Sequence, residues 1–422
     1  MDQLVIEGPV KLEGRVKVSA AKNAYLPIMA SILLSPKPVH LRNLPSLRDI
    51  KTMVSLLENL GVSVKRKGEW TTFDASMVHS QEATYDLVKT MRASILVLGP
   101  LLARFKYAKV SLPGGCAIGA RPIDIHLNNF SKLGANINLE GGYVSAETDG
   151  LKGLPVVLSF PSVGATENLL MGAVLAEGET VIENAALEPE IEDLGNFLIK
   201  MGAKIEGLGT SRLVVNGIKE SELKEVEYEA IGDRIEAATY IMAGLATQSE
   251  LTVEGFHTEH LEAVLTALSD MGANLEKGKN YVNVFPSRLK AINVETSPYP
   301  GFPTDAQAQL MALASQVEGV SIITENIFEN RFMHVPELRR LGANIELKQK
   351  TAIIRGKSSL KAAPIMCTDL RASAALVLAA LSTRGQTTIQ RIYHLDRGYE
   401  HLAKKLGYLG AEIKRENGAV TS

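Results

Sequence analysis

The run LEAVLTALSDMGANLEKGKNYVNVF, residues 261–285, holds one complete helix-to-strand transition. Leu261, Val264, Leu265 and Leu268 recur at helical spacing and share one face of an amphipathic helix. Gly272 ends that helix, because the left-handed closing position favours glycine. A short alternating strand follows, and YVNVF alternates again with period two. The pattern occurs six times: LGVSV, LGANI, MGAKI, MGANL, LGANI and LGAEI carry Gly61, Gly134, Gly202, Gly272, Gly342 and Gly410, at intervals of 73, 68, 70, 70 and 68 residues. Six similar units fill the 422 residues and leave no room for an unrelated domain. Strands and helices interleave, so the fold class is α/β.

A second helix recurs in its own register, in KNAYLPIMASILL, RASILVLGPLLA, TENLLMGAVLA, EAATYIMAGLA, DAQAQLMALA and RASAALVLAALS. These helices are apolar nearly all round, which predicts burial with polar groups only at their starts. The sixth copy stops at AEIKRE, while LVIEG and RVKVSA stand spare at residues 4–8 and 15–20. The spare strands are expected to complete copy six. That predicts two domains of three units each, 21–229 and 1–20 plus 230–422, with chain crossings near Ala20–Ala21 and near Tyr228–Ile231. The stretch KESELKEVEYE, 219–229, is mixed in sign and reads as a solvated linker or surface helix.

Composition narrows the function. Apolar residues make up 45% and charged residues 22%, which excludes disorder and fibrous repeats. A net charge of -2 argues against a nucleic-acid surface. The longest apolar stretches, 94–103 and 372–382, are too short to span a membrane. Two cysteines suit a reducing cytoplasm, and MDQLVIEGPVKLEG lacks the layout of an export signal, so a cytoplasmic protein is expected. His257 and His260 have helical metal-ligand spacing without a third ligand, and no metal is expected. GGCAIG lacks a P-loop ending and no Rossmann fingerprint is present.

The buried helices start on charge. Lys22, Arg92 and Arg371 sit where the helix dipole disfavours cations, and Arg92 and Arg371 share the tripeptide Arg-Ala-Ser. Ligand anions held between them would account for this, at a cleft where six helix starts converge. Asp305, in a first turn after Pro303-Thr304, is a routine cap taken alone; among cations it would stay ionised and could serve as a general base. Cys116 lies among glycines in SLPGGCAIGARPIDIH, with Arg121 five residues on, and reads as a functional thiol of lowered pKa. Cys367 reads as structural.

With AAKNA, YDLVKTMRASI, SLPGGCAIGARP, SVGAT, ENAALEPEI, FPTDAQAQ, FENRFMHVPEL, DLRASAALV and DRGYEHL in hand, the chain from Met1 to about Glu416 closely resembles the enolpyruvyl transferase family, on its UDP-N-acetylglucosamine branch. The resemblance implies a two-domain inside-out α/β barrel. It also implies transfer of the enolpyruvyl group of phosphoenolpyruvate to the sugar 3-hydroxyl of UDP-N-acetylglucosamine, with phosphate released and no metal or organic cofactor. By similarity, Lys22 and Asn23 meet the substrates, and Arg92, Arg121 and Arg397 hold anionic groups. Arg121, Pro122, Ile123, Asp124 and Ile125 form the uridine-diphosphate segment, joined by Ser162, Val163, Gly164 and Ile327. Asp305 accepts the hydroxyl proton. Cys116 is the general acid and can form an adduct with phosphoenolpyruvate, on a loop, 112–121, that closes over the reaction. Arg331 and Arg371 complete the cationic surround. Arg48 stands where lysine is also common in the family, and Phe160 and Pro161 occupy a variable position.

Three readings stay open on the sequence. One is the transferase just described. Another is the sister enzyme of aromatic biosynthesis, enolpyruvylshikimate phosphate synthase, which lacks the GGC loop, so GGCAIGARP speaks against it. The last is a non-catalytic relative that binds UDP-sugar and scaffolds, although Lys22, Cys116, Asp305 and Arg397 are all present.

Overall fold

The computed structural model describes residues 2–89, 91–112, 123–357 and 359–417. Cys116, Arg121 and Pro122, with most of the 112–121 loop, lie outside the described residues.

Each copy contributes a four-stranded sheet, six in all among the described residues. Every sheet has one parallel pair and two antiparallel pairs. In copy five, for example, Asn293–Glu295 pairs in parallel with Val320–Thr324, which lies antiparallel to Thr351–Arg355, itself antiparallel to Asn344–Lys348. In copies two, three, five and six the parallel edge strand is supplied by the preceding copy. In those four copies the chain leaves that strand, runs through a buried helix and returns beside it, because parallel neighbours need a long crossover. All six glycines that follow the outer helices take positive φ, from 92° to 114°.

The chain divides into two compact units, residues 20–112 with 123–231 and residues 2–19 with 232–417. In the first unit the buried helices are Lys22–Ser31, Leu98–Phe105 and Val163–Ala173, packed on one another around an aliphatic core. Their approach is close: a Cβ on Gly99 would lie 2.4 Å from the carbonyl of Asn168, whose side chain accepts the Gly99 N–H at 2.7 Å. The second of these helices departs from the expected start at Arg92. Arg92–Val97 is a 3-10 helix and α-geometry begins at Leu98.

The second unit holds Arg234–Ala246, Thr304–Ala314 and Leu370–Ser382, also packed together. From Ala306 to Ala314 every residue is buried, as the all-round apolar pattern requires.

The spare N-terminal strands separate. Asp2–Gly8 takes the middle of the copy-six sheet, antiparallel to both Gly385–Gln390 and Glu412–Asn417. Glu13–Lys17 completes copy six but pairs outside its sheet, as Asn293–Glu295 does for copy four. It is the parallel edge strand of copy four, beside Glu250–Glu254. The rule that each copy lends its edge strand to the next explains this: copy six lends to copy four, and three copies close into a ring. Residues 219–229 also differ from expectation. Val226–Tyr228 is a strand that pairs in parallel with Val39–Arg42 and closes the ring of the first unit, with Val226 buried and Glu227 exposed. Its three-residue length hides the alternation among the charges around it. The unit boundaries fall at Ser19–Ala20 and Ile231–Gly232.

Candidate active site

In the first unit, Lys22 opens its helix with no acidic residue in the first turn, yet it is buried. Its Nζ donates to Asp49 Oδ2 at 3.0 Å, and both side chains are nearly excluded from solvent. A carboxylate from the neighbouring outer helix thus meets the charge that the dipole disfavours. Asn23, the next residue, is exposed. Arg92 is half-buried at the start of its 3-10 helix, and its charge acts on His126. Burial, and then Arg92, hold the His126 imidazole neutral, with its pKa down to about 4. His126 Nδ1 lies 3.1 Å from Asn168 Nδ2, which also donates to Ile95 O at 3.0 Å. Ser162 caps Val163–Ala173 by accepting the Ala165 N–H, and Val163 and Gly164 form the first turn. Gly164 faces His126, since a Cβ there would lie 3.4 Å from the ring. Ile123 precedes the helix Asp124–Lys132, and Asp124 is exposed in its first turn beside half-buried Ile125. The sequence-derived residues Arg92 and Gly164 therefore gather around His126, which the sequence reading missed.

The second unit gathers its residues more tightly. Asp305 lies in the first turn of its helix and is bound by two buried arginines. Arg331 Nη2 donates to Oδ1 at 2.5 Å and Arg371 Nη2 donates to Oδ2 at 2.9 Å. Burial acts to lower the Arg371 pKa, but Asp305, Tyr399 and Asp233 outweigh it and the net direction is up. Asp369 caps Leu370–Ser382, the helix that carries Arg371, by accepting the N–H groups of Arg371 and Ala372. Ile327 donates its N–H to Glu325 Oε1 at 2.8 Å, while Oε2 of that carboxylate accepts the Thr304 hydroxyl at 2.9 Å. Arg397 ends the 3-10 helix Ile392–Arg397, two residues before Tyr399, whose hydroxyl meets Arg371 at 3.3 Å. A carboxylate held between two guanidiniums is ionised at neutral pH and can take a proton once an incoming anion draws on those same guanidiniums.

Asp49, Glu325, Asp369 and Tyr399 were not picked out in the sequence. Asp49 and Asp369 sit in ordinary helix-start contexts, and only the fold shows that Asp49 meets Lys22. The buried thiol of Cys367 is pushed up to about 12, first by burial, as a structural cysteine requires. Among the described residues no group of three or more His, Cys, Asp or Glu side chains could hold a metal ion, and no helix is long and apolar enough to cross a membrane.

Residues 6–406 match the family model of EPSP synthase (3-phosphoshikimate 1-carboxyvinyltransferase). A Geobacter metallireducens protein named UDP-N-acetylglucosamine 1-carboxyvinyltransferase is 52% identical over 416 residues, 98% of this chain and 99% of its own length. One of the same name from Acinetobacter guillouiae is 52% identical over 418 residues, again covering 98% and 99%. Among solved structures, the enolpyruvyl transferase NikO from Streptomyces tendae superposes with a TM-score of 0.90 at 26% identity, covering 99% of each chain. EPSP synthase from Acinetobacter baumannii, at 19% identity and a TM-score of 0.77, shares the fold, over 99% of this chain and all of its own. With six sheets in two three-copy rings and these matches along nearly its whole length, the chain belongs to the enolpyruvyl transferase family, the two-domain inside-out α/β barrel.

Proposed function

We propose that this protein transfers the enolpyruvyl group of phosphoenolpyruvate to the 3-hydroxyl of UDP-N-acetylglucosamine and releases phosphate, the first committed step of peptidoglycan precursor synthesis. It is a transferase. The observation that carries the reading is the 52% identity, along 98% of the chain, to proteins named for that reaction. The cluster of half-buried Asp305 with buried Arg331 and Arg371 supports the roles.

The chemistry is an addition followed by an elimination. A proton goes to the methylene carbon of phosphoenolpyruvate while the sugar oxygen bonds to the neighbouring carbon and gives up its proton. Phosphate then leaves, and a proton lost from the new methyl group restores the double bond. Asp305 takes the hydroxyl proton. Cys116 supplies the carbon-bound proton, and its place in the GGC loop separates this reading from the shikimate one.

Two phosphorylated reactants repel each other in a dry site, so fixed cations must be in place before reaction. Lys22, Arg92, Arg121, Arg331, Arg371 and Arg397 provide them. Asn23 joins Lys22 at the reactants, and Arg121, Pro122, Ile123, Asp124 and Ile125 with Ser162, Val163, Gly164 and Ile327 hold the uridine diphosphate. Substrates of this kind, and the two cysteines in the sequence, suit a cytoplasmic enzyme. Phosphate release from phosphoenolpyruvate, run with UDP-N-acetylglucosamine and in parallel with shikimate 3-phosphate, tests the reading. Only the UDP-sugar should support release. Turnover with shikimate 3-phosphate alone rejects the proposal, and release with neither favours the scaffolding alternative.

A further inference from the structure

Beneath Asp305 the second unit carries a strip of polar side chains between helices whose other buried residues are mostly apolar. Tyr399 is its centre, and only 2% of the residue is exposed. The hydroxyl lies 3.3 Å from Arg371 Nη1, 3.2 Å from Gln309 Nε2 and 2.9 Å from Thr239 Oγ1. A phenol has one proton and two lone pairs, while guanidinium and amide nitrogens only donate. Arg371 therefore donates to a phenol lone pair, and Gln309 is placed to donate to the other. With the Thr239 proton engaged by Ile235 O, the Tyr399 proton goes to Thr239. The Thr239 hydroxyl in turn donates to Ile235 O at 2.9 Å. Gln309 Nε2 also lies 3.1 Å from Thr239 Oγ1 and 3.0 Å from Asp305 O, so its two protons are shared among three acceptors. The Arg371 bond runs only from guanidinium to phenol oxygen, and the phenol stays protonated because burial raises its pKa. The far side of the same guanidinium, Nη2, meets Asp305 Oδ2 at 2.9 Å.

We propose that Tyr399 is a positioning residue for the reaction: its hydroxyl holds the Arg371 guanidinium so that Nη2 faces the Asp305 carboxylate. The inference rests on Asp305 being the base. Packing alone does not need the oxygen, since phenylalanine fills the same volume. Buried polar groups are costly unless fully bonded, and an apolar strip would hold these helices together as well. What the network supplies is one orientation for Arg371, fixed from both ends.

Tyr399→Phe removes one acceptor from Arg371 and leaves every charge around the carboxylate in place. Those described charges are Arg331, Arg371, Asp233 and Asp369, with the neutral imidazole of His334 beside Arg331 and Asp369. A less firmly held guanidinium stabilises the Asp305 anion less, so its pKa rises. Activity that needs the anion then falls off at a higher pH.

The experiment is a carbon-13 NMR titration of the aspartate carboxyls in the full chain, with the Asp305 signal assigned by its loss in Asp305→Asn. It is paired with the pH profile of kcat. Tyr399→Phe should move the Asp305 titration up by roughly half to one pH unit, the worth of one hydrogen bond. The acid limb of kcat should follow. Ile241→Val, a mild core change in the neighbouring helix, should move neither. An Asp305 titration unmoved in Tyr399→Phe, or moved equally by Ile241→Val, overturns the proposal. A titration that moves while the acid limb stays supports the Tyr399–Arg371 link and removes the base role from Asp305.

Discussion

Glu236 shows how much one residue can carry. It is fully buried in the first turn of Arg234–Ala246, with Oε1 2.6 Å from Lys405 Nζ and Oε2 accepting the Ser19 N–H at 2.8 Å. Ser19 is the last residue before a unit boundary, and its carbonyl also accepts the Asp233 N–H at 2.9 Å. Burial is the largest influence on Glu236 and raises its pKa to about 7, against the lowering by Lys405 and Ser19. A carboxyl that binds its proton more tightly folded than unfolded costs stability as pH rises from its ordinary 4.5 to about 7. Glu236→Gln should remove that slope, a difference of roughly 1–3 kcal/mol across the window, read from urea denaturation at a series of pH values. His126 and His334, both near 4, tilt stability the other way in both proteins and cancel in the difference. Equal slopes in the two proteins would contradict this account. At this scale the sequence was read incompletely: Lys22, Asp305 and Arg371 stand out because their charge opposes or matches a helix start, whereas Asp49 and Tyr399 acquire meaning only from neighbours distant in the chain.

At the scale of elements, the repeated helix-closing glycines were plain in the sequence and their surroundings were not. Gly61 and Gly134 both take positive φ, 106° and 94°. A Cβ on Gly61 would lie 2.7 Å from the Met77 carbonyl, whereas nothing lies within 4 Å of one on Gly134. Gly134→Ala should cost about 1 kcal/mol, the strain of a left-handed alanine, and Gly61→Ala distinctly more, as measured by thermal melts. Matching losses would mean that the Met77 segment yields freely. Short pieces misled for a physical reason. Val226–Tyr228 is too brief for its alternation to register among charges, and the six-residue 3-10 stretch Arg92–Val97 carries the same apolar pattern as the α-helix that continues it.

For the whole molecule, the six-fold repeat made the architecture legible, because an interval near 70 residues leaves no other division of the chain. The ring closure was half legible. Two spare strands at the N-terminus pointed to the C-terminal unit, but nothing in their composition says that one joins copy six and the other copy four. Ile6, wholly buried in the middle strand of the copy-six sheet, is the place to test that closure. Ile6→Asp should strip amide protection in hydrogen exchange from residues 232–417 while residues 20–231 keep theirs; equal loss throughout would place the strand's importance elsewhere. The central claim concerns the bond made. Proton and carbon NMR of the product formed from phosphoenolpyruvate and UDP-N-acetylglucosamine should show two vinyl protons on an ether joined at the sugar C3, formed mole for mole with phosphate. Phosphate released without that ether, or a vinyl ether formed only on shikimate 3-phosphate, would contradict it.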